Sequence, residues 1–290
     1  MSKFRQAWEN IESDATRPSF MRNLVEMEYG ELEAKVLAKE TKFVNDLIES
    51  YYAGDVFIIR EAFSKEFMMG LIDQVYDTFS KTPSAFHKMI EGCPDFHRMV
   101  DEETAKNYVF KNIRHSYYWF PWNGDTMGVN SEIMKRWRIF KLIGGFRADE
   151  YETNTPKDGV VDRFQVARYL PGIGISETHI DPLPNQRVIV SVYGSKRGDG
   201  YDGYDGYTEG GFHAIGQGGK LVDLESNIEM GDIGSCYATV QHGVSLVDPK
   251  KKPDWKAKDG RWWLGLYSCS SDLAETRAVG QPVDVTGTST

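Results

Sequence analysis

The stretch that decides the fold is "FQVARYLPGIGISETHID", residues 164 to 181: a β-rich run, a Pro-Gly turn, and then His179-Ile180-Asp181. In an extended strand, side chains at i and i+2 project from the same face, so His179 and Asp181 would point together while Ile180 faces away. By itself the pair means little. Six histidines and 43 acids in 290 residues make about one His-x-acid pair expected by chance, so the motif waits on its surroundings.

Those surroundings are β-rich. "QRVIVSVYG" (186 to 194), "GGFHAIG" (210 to 216), "GKLVDLES" (219 to 226), "DIGSCYATV" (232 to 240) and "RWWLGLYSCS" (from 261) have strand length and composition, and glycine turns separate them. Several short strands of this kind predict a sandwich or a double-sheet jelly roll. "GYDGYDGY", Gly200 to Tyr207, is a short internal repeat and reads as a long hairpin loop.

Upstream the character is helical. "FMRNLVEMEYGELEAKVLAKETKFVNDLIESYY" (20 to 52) repeats apolar residues at three and four, so residues 1–50 are expected to form a helical extension, a cap or an oligomer contact. "GDVFIIREAF" (54 to 63) reads as a strand, and "SKEFMMGLIDQVYDTFSK" (64 to 81) as a helix capped by Ser64. "NSEIMKRWRIFKLIGGF" (130 to 146) predicts a helix that ends at Gly144-Gly145. "SYYWFPWNGD" (116 to 125) gathers aromatics, which fill cores more often than they line ligand sites.

Composition narrows the function. Hydrophobic residues at 40% and charged residues at 27% suit a globular protein with a sizeable core, and a net charge of −9 argues against a nucleic-acid binder. Cys93, Cys236 and Cys269 are too few and too scattered for a disulfide framework or a C-x-x-C metal site. With a charged N-terminus and no run of about 18 apolar residues, a cytoplasmic location without membrane contact is expected.

A second histidine, His242, follows the run 232 to 240. Two histidines and one carboxylate leave three positions of an octahedron open, which suits non-heme Fe(II) oxygen chemistry, whereas a closed zinc site would need a fourth ligand. Arg261 opens "RWWLGLYS" with Trp263, Gly265 and Tyr267 on its face. A buried guanidinium must meet an anion, and a carboxylate fits it through two parallel hydrogen bonds. His213 has no acid at i+2 and reads as a satisfied strand histidine, and His87, His97 and His115 as packing or surface residues.

Together, "FQVARYLPGIGISETHID", Gly210-Gly211, "IEMGDIGSCYATVQHGVSLV" (228 to 247) and "GRWWLGLYS" (260 to 268) resemble the Fe(II)/2-oxoglutarate-dependent dioxygenases, in particular the prolyl-hydroxylase-like branch. The resemblance spans about residues 160–270. It implies an α+β fold: a double-stranded β-helix (jelly roll, cupin-like) with helices on one side, over residues 51–275, after the extension 1–50 and before a tail 276–290. It implies that His179, Asp181 and His242 hold Fe(II), that Arg261 pairs with the distal carboxylate of 2-oxoglutarate, and that Tyr169 hydrogen-bonds the same cosubstrate. Oxygen would complete the set, giving succinate, CO2 and a hydroxylated C–H.

Asp181 occupies the place that halogenases of this class leave to a small residue, which disfavours halogenation. Desaturation, cyclisation and epimerisation use the same ligands, and a cupin-like barrel that binds without turnover is the alternative from another class. Arg261 follows His242 by 19 positions, where about ten is common in the family; the excess, "DPKKKPDWKAKDG" (248 to 260), reads as a tolerated surface insertion. The expected substrate is a small metabolite, an amino acid or natural-product intermediate, with Tyr117, Trp119, Arg187, Ser191, Tyr193 and Tyr204 as candidate contacts.

Overall fold

A computed structural model describes residues 2–13, 16–81, 116–118, 131–145, 164–169, 178–180, 187–195, 210–226, 228–245 and 261–266, with side chains omitted at 75–81, 116–118 and 164–169. Five helices are present among these: α1 (Lys3–Glu12), α2 (Tyr29–Ala38), α3 (Thr41–Tyr52), α4 (Lys65–Lys81) and α5 (Glu132–Ile143). The strands are β1 (Leu24–Glu28), β2 (Val56–Arg60), β3 (Ser116–Tyr118), β4 (Phe164–Tyr169), β5 (Val188–Tyr193), β6 (Gly211–Ile215), β7 (Leu221–Asp223), β8 (Ile233–Tyr237), β9 (His242–Ser245) and β10 (Arg261–Leu266).

Seven strands make one sheet in the order β1-β2-β8-β5-β10-β4-β3, and three make a second in the order β7-β6-β9. An isolated antiparallel bridge from His179 to His242 lays one more segment beside β9. From residue 164 onward the chain therefore alternates between sheets: β4, β5, β8 and β10 lie in the large one, and the His179 segment, the β6–β7 hairpin and β9 in the small one. Every strand pair is antiparallel except β1 with β2. The predicted strands at 54, 164, 186, 210, 219, 232 and 261 all form, and the aromatic run at 116 contributes a further short strand, β3.

The large sheet is covered by helices on one face. Trp8 of α1 packs against Tyr237 with ring centroids 5.4 Å apart and the rings tilted by 34°, and its indole Nε1 donates to the Ile143 carbonyl at 2.6 Å. Tyr51 of α3 donates to Ser235 Oγ at 3.0 Å and packs on Phe57 at 4.3 Å. β2 and β8 are buried almost throughout, which is why "VFIIR" and "IGSCY" read as continuous apolar runs rather than alternating ones.

Local chemistry sets the helix ends. The hydroxyls of Ser2, Ser64 and Ser131 accept from the backbone N–H of Arg5, Phe67 and Met134, each satisfying a donor the first turn leaves open. Gly231 precedes β8 with φ +95°, and a Cβ there would lie 2.1 Å from the Phe63 carbonyl oxygen, so the approach of the β2–α4 turn requires glycine.

One expectation fails at the N-terminus. Leu24–Glu28, read as helix, is an edge strand paired in parallel with β2 and tied to it by Glu26 and Arg60 at 2.8 Å. Its five residues alternate only between half-buried and exposed, and Leu24 is 43% exposed, so the period-2 signal is weak beside helix-forming Leu, Met and Glu. Residues of the N-terminal region pack onto the strands: Phe4, Trp8, Val44 and Ile48 belong to the same buried cluster. Among the described residues no helix is long and apolar enough to cross a membrane.

Because Trp8 is fully buried and hydrogen-bonded, Trp8→Ala is expected to destabilise the protein by about 3–5 kcal/mol in urea unfolding. A loss below about 1 kcal/mol, as at an ordinary surface site, would contradict the placement of α1 in the core.

Candidate functional site

His179 and His242 meet as a reciprocally bonded antiparallel pair. His179 N–H donates to the His242 carbonyl at 2.9 Å, and His242 N–H returns the bond at 3.0 Å. Residues so paired project to the same side, and the two imidazoles lie 4.6 Å apart between centroids at 58°. Ile180, the intervening residue, is exposed, as alternation requires.

The ring of His242 is oriented by the backbone. Its Nδ1 lies 2.9 Å from the Val240 carbonyl oxygen, and since a carbonyl only accepts, Nδ1 carries the proton. In the neutral ring Nε2 is then the lone-pair nitrogen, the arrangement of a metal-ligating histidine whose other nitrogen is held from behind. Phe212 packs at 5.4 Å on the same imidazole. Asp181, the third expected ligand, lies outside the described residues. Among the described residues no group of three His, Cys, Asp or Glu side chains could hold a metal.

His213 is buried, its Nδ1 2.9 Å from Ser245 Oγ, and burial lowers its pKa from the ordinary histidine value. In register it stands opposite Gly243, one position out of phase with His242, so strand alternation sends it to the other face. The reading of a satisfied strand histidine agrees with this geometry. His87, His97 and His115 lie outside the described residues.

Arg261 is 2% exposed and faces a partner that sequence reasoning missed. Its Nε donates to Glu225 Oε1 at 2.7 Å, and its Nη2 donates to the same oxygen. The backbone N–H of Phe212 is a third donor to that oxygen, at 2.7 Å. Glu225 follows β7, is 1% exposed, and its own N–H donates to Asp223 Oδ1 at 3.0 Å. The pair thus joins the start of β10 to the small sheet. A signal was present: a buried arginine demands an anion, and "LVDLES" places an acid inside an apolar strand-like run.

Tyr193 stands beside the pair, its ring centroid 5.8 Å from the guanidinium carbon. Its hydroxyl is buried and, among the described residues, has no hydrogen-bond partner, as is also true of Trp263 Nε1. Burial, then the nearby Glu225 carboxylate, push the Tyr193 phenol well above its usual range. The ring lies over Gly234, where a Cβ would come 2.7 Å from the hydroxyl. Ser191 pairs with both Gly265 and Gly234, on the same face as Tyr193.

Backbone register sets Tyr169 opposite Arg261, and both Tyr117 and Trp263 opposite Ala167. Trp119 and Tyr204 lie outside the described residues. Arg187 does not share the face of Ser191 and Tyr193. It precedes β5 and turns to the helical layer, with Nε and Nη2 3.0–3.2 Å from Glu12, Nη1 3.0 Å from the Gly144 carbonyl, and its guanidinium over Trp8. Period-2 reasoning does not extend past the strand end, and an available carboxylate decided the direction.

Removing one member of a buried ion pair strands the other, so Glu225→Ala is expected to cost about 3–5 kcal/mol in urea unfolding, while Glu225→Leu combined with Arg261→Met recovers most of that loss. Equal losses from the single and double variants would show that the pair is not coupled.

No protein-family profile matches the chain, and no curated protein matches it in sequence. Several solved structures are similar to it in overall course. A full-length Neurospora crassa protein in complex with alpha-KG and thymine is 12% identical, with a TM-score of 0.44 over 94% of this chain and 96% of that one. JOX2 in complex with 2OG, Fe and JA is 11% identical with a TM-score of 0.42, over 96% and 90%. A Pseudomonas putida prolyl-4-hydroxylase is 14% identical with a TM-score of 0.33, over 67% and 97%. Such remote likeness leaves the functional reading to the chain's own residues.

Proposed function

We propose that the chain is a non-heme Fe(II)/2-oxoglutarate-dependent dioxygenase of jelly-roll fold that hydroxylates an unactivated C–H of a small metabolite. The observation that carries this reading is the His179–His242 pair, side by side on one face, with His242 Nδ1 committed to a carbonyl and the lone pair placed on Nε2. The distribution of eight segments between two sheets supports the jelly roll. Asp181, two residues after His179, is the proposed carboxylate ligand that completes the set with His179 and His242.

These donors fit a ferrous ion, which when bound supplies oxygen activation coupled to oxidative decarboxylation of 2-oxoglutarate, yielding succinate, CO2 and a hydroxylated product. The protein's share is to hold and shield. The two backbone bonds between residues 179 and 242 fix the spacing of the imidazoles. Val240 fixes the tautomer. Phe212 and the buried face of β9 exclude water behind the metal side. Arg261 and Tyr169, in register on neighbouring strands, are the proposed anchors for the cosubstrate's distal end. Desaturation, cyclisation or epimerisation would draw on the same residues.

A second reading has one observation in its favour. Glu225 already supplies the anion that Arg261 needs, which is what a cupin-like barrel that binds without turnover would show. The two readings part in one experiment. Anaerobic protein given Fe(II) and 2-oxoglutarate is expected to develop a visible charge-transfer absorption, and to release succinate when air is admitted. His179→Ala and His242→Ala are each expected to abolish both signals. A wild-type protein that binds iron but shows no such band would leave the binding-only barrel.

A further inference from the structure

The dioxygenase reading, on which this inference rests, asks a carboxylate of the cosubstrate to approach Arg261, and that cation is not bare. Its Nε and Nη2 both reach Oε1 of Glu225, at 2.7 Å for Nε, and both side chains are almost wholly buried. The same oxygen accepts from Phe212 N–H at 2.7 Å. The main chain of Glu225 is pinned in turn by Asp223 Oδ1 at 3.0 Å.

Three donors on one buried oxygen make Glu225 hard to displace, because its departure would leave a guanidinium and a main-chain N–H without that acceptor where water is scarce. A ligand arriving beside Arg261 therefore meets a pair whose charges cancel. A second carboxylate placed there would be attracted by Arg261 and repelled by Glu225 over similar distances, and in a buried setting neither term is screened away. Neutral donors lie close by. The Tyr193 hydroxyl, beside the guanidinium, and the Trp263 indole N–H, opposite Tyr193 in register, are buried with no acceptor among the described residues. Such a lining asks for an oxygen that accepts hydrogen bonds more than for a net negative charge.

We propose that Glu225 is a positioning and charge-setting residue for Arg261, so that the site discriminates only weakly between the 2-oxoglutarate dianion and 2-oxo acids with an uncharged, hydrogen-bond-accepting distal end. Glu225 fixes the direction of the guanidinium and withholds its charge. Selectivity for the distal carboxylate, which a bare buried arginine would enforce, is thereby relaxed.

The test is calorimetric binding to the full chain loaded with Mn(II) under anaerobic conditions, with no turnover involved. Its probes are 2-oxoglutarate and its distal (C5) monomethyl ester. In the wild-type protein the two dissociation constants are expected to differ by less than about thirtyfold, whereas an uncompensated buried arginine would separate them by roughly hundreds or more. A larger wild-type ratio overturns the proposal, and because that measurement needs no variant it stands even if substitutions at 225 fail to fold. Glu225→Gln keeps an acceptor oxygen and removes the charge. It is expected to raise the ratio about tenfold, chiefly by tightening the dianion. An unchanged ratio in Glu225→Gln overturns the proposal while leaving the dioxygenase reading in place. Failure of the wild-type protein to bind either probe removes that reading, and the inference with it.

Discussion

Two main-chain hydrogen bonds exchanged between His179 and His242 join segments far apart in the chain, and the geometry of the candidate site follows from them. Facing partners in an antiparallel pair share a side, so one bridge both closes the small sheet's edge and sets the imidazoles 4.6 Å apart. The large sheet contributes the opposite wall, where Arg261, Trp263, Tyr193 and Ser191 fall in register across β10 and β5. The missing side chain at Gly234 leaves that wall room for the Tyr193 ring.

Much of the strand framework was legible because each strand carried its own signature. Glycine-bounded runs of β-branched and aromatic residues at 186, 210, 232 and 261 formed where the pattern placed them. The edge strand at Leu24–Glu28 escaped because a strand with one exposed face and one sheet neighbour has little apolar alternation to read. The joining of His179 with His242 follows from i, i+2 geometry plus strand pairing. The direction of Arg187 and the partner of Arg261 do not, since a long charged side chain goes to whichever carboxylate the tertiary fold brings near. Glu12 and Glu225 lie 175 and 36 positions away from those arginines, and no local rule reaches so far.

The buried Glu225–Arg261 pair shows how one requirement can be met in two ways. Burial of a guanidinium calls for a negative partner, and an external carboxylate or an internal one satisfies that call equally well. An internal partner joins the sheets through a charged contact, whose desolvation offsets much of its attraction, and so favours a unique register more than raw stability.

The seat of α1 bears on how the chain comes together during synthesis. Trp8 and Glu12 contact Ile143, Arg187 and Tyr237, groups that leave the ribosome more than a hundred residues after the helix itself. An amphipathic helix of ten residues has little stability alone in water, and although α3 meets it early through Tyr52 and Trp8, the side toward Ile143, Arg187 and Tyr237 waits uncovered until the strand bearing Tyr237 has emerged and paired. Nascent chains stalled before that strand would thus leave Trp8 only partly covered, and the final seating of the first helix becomes a late event in folding.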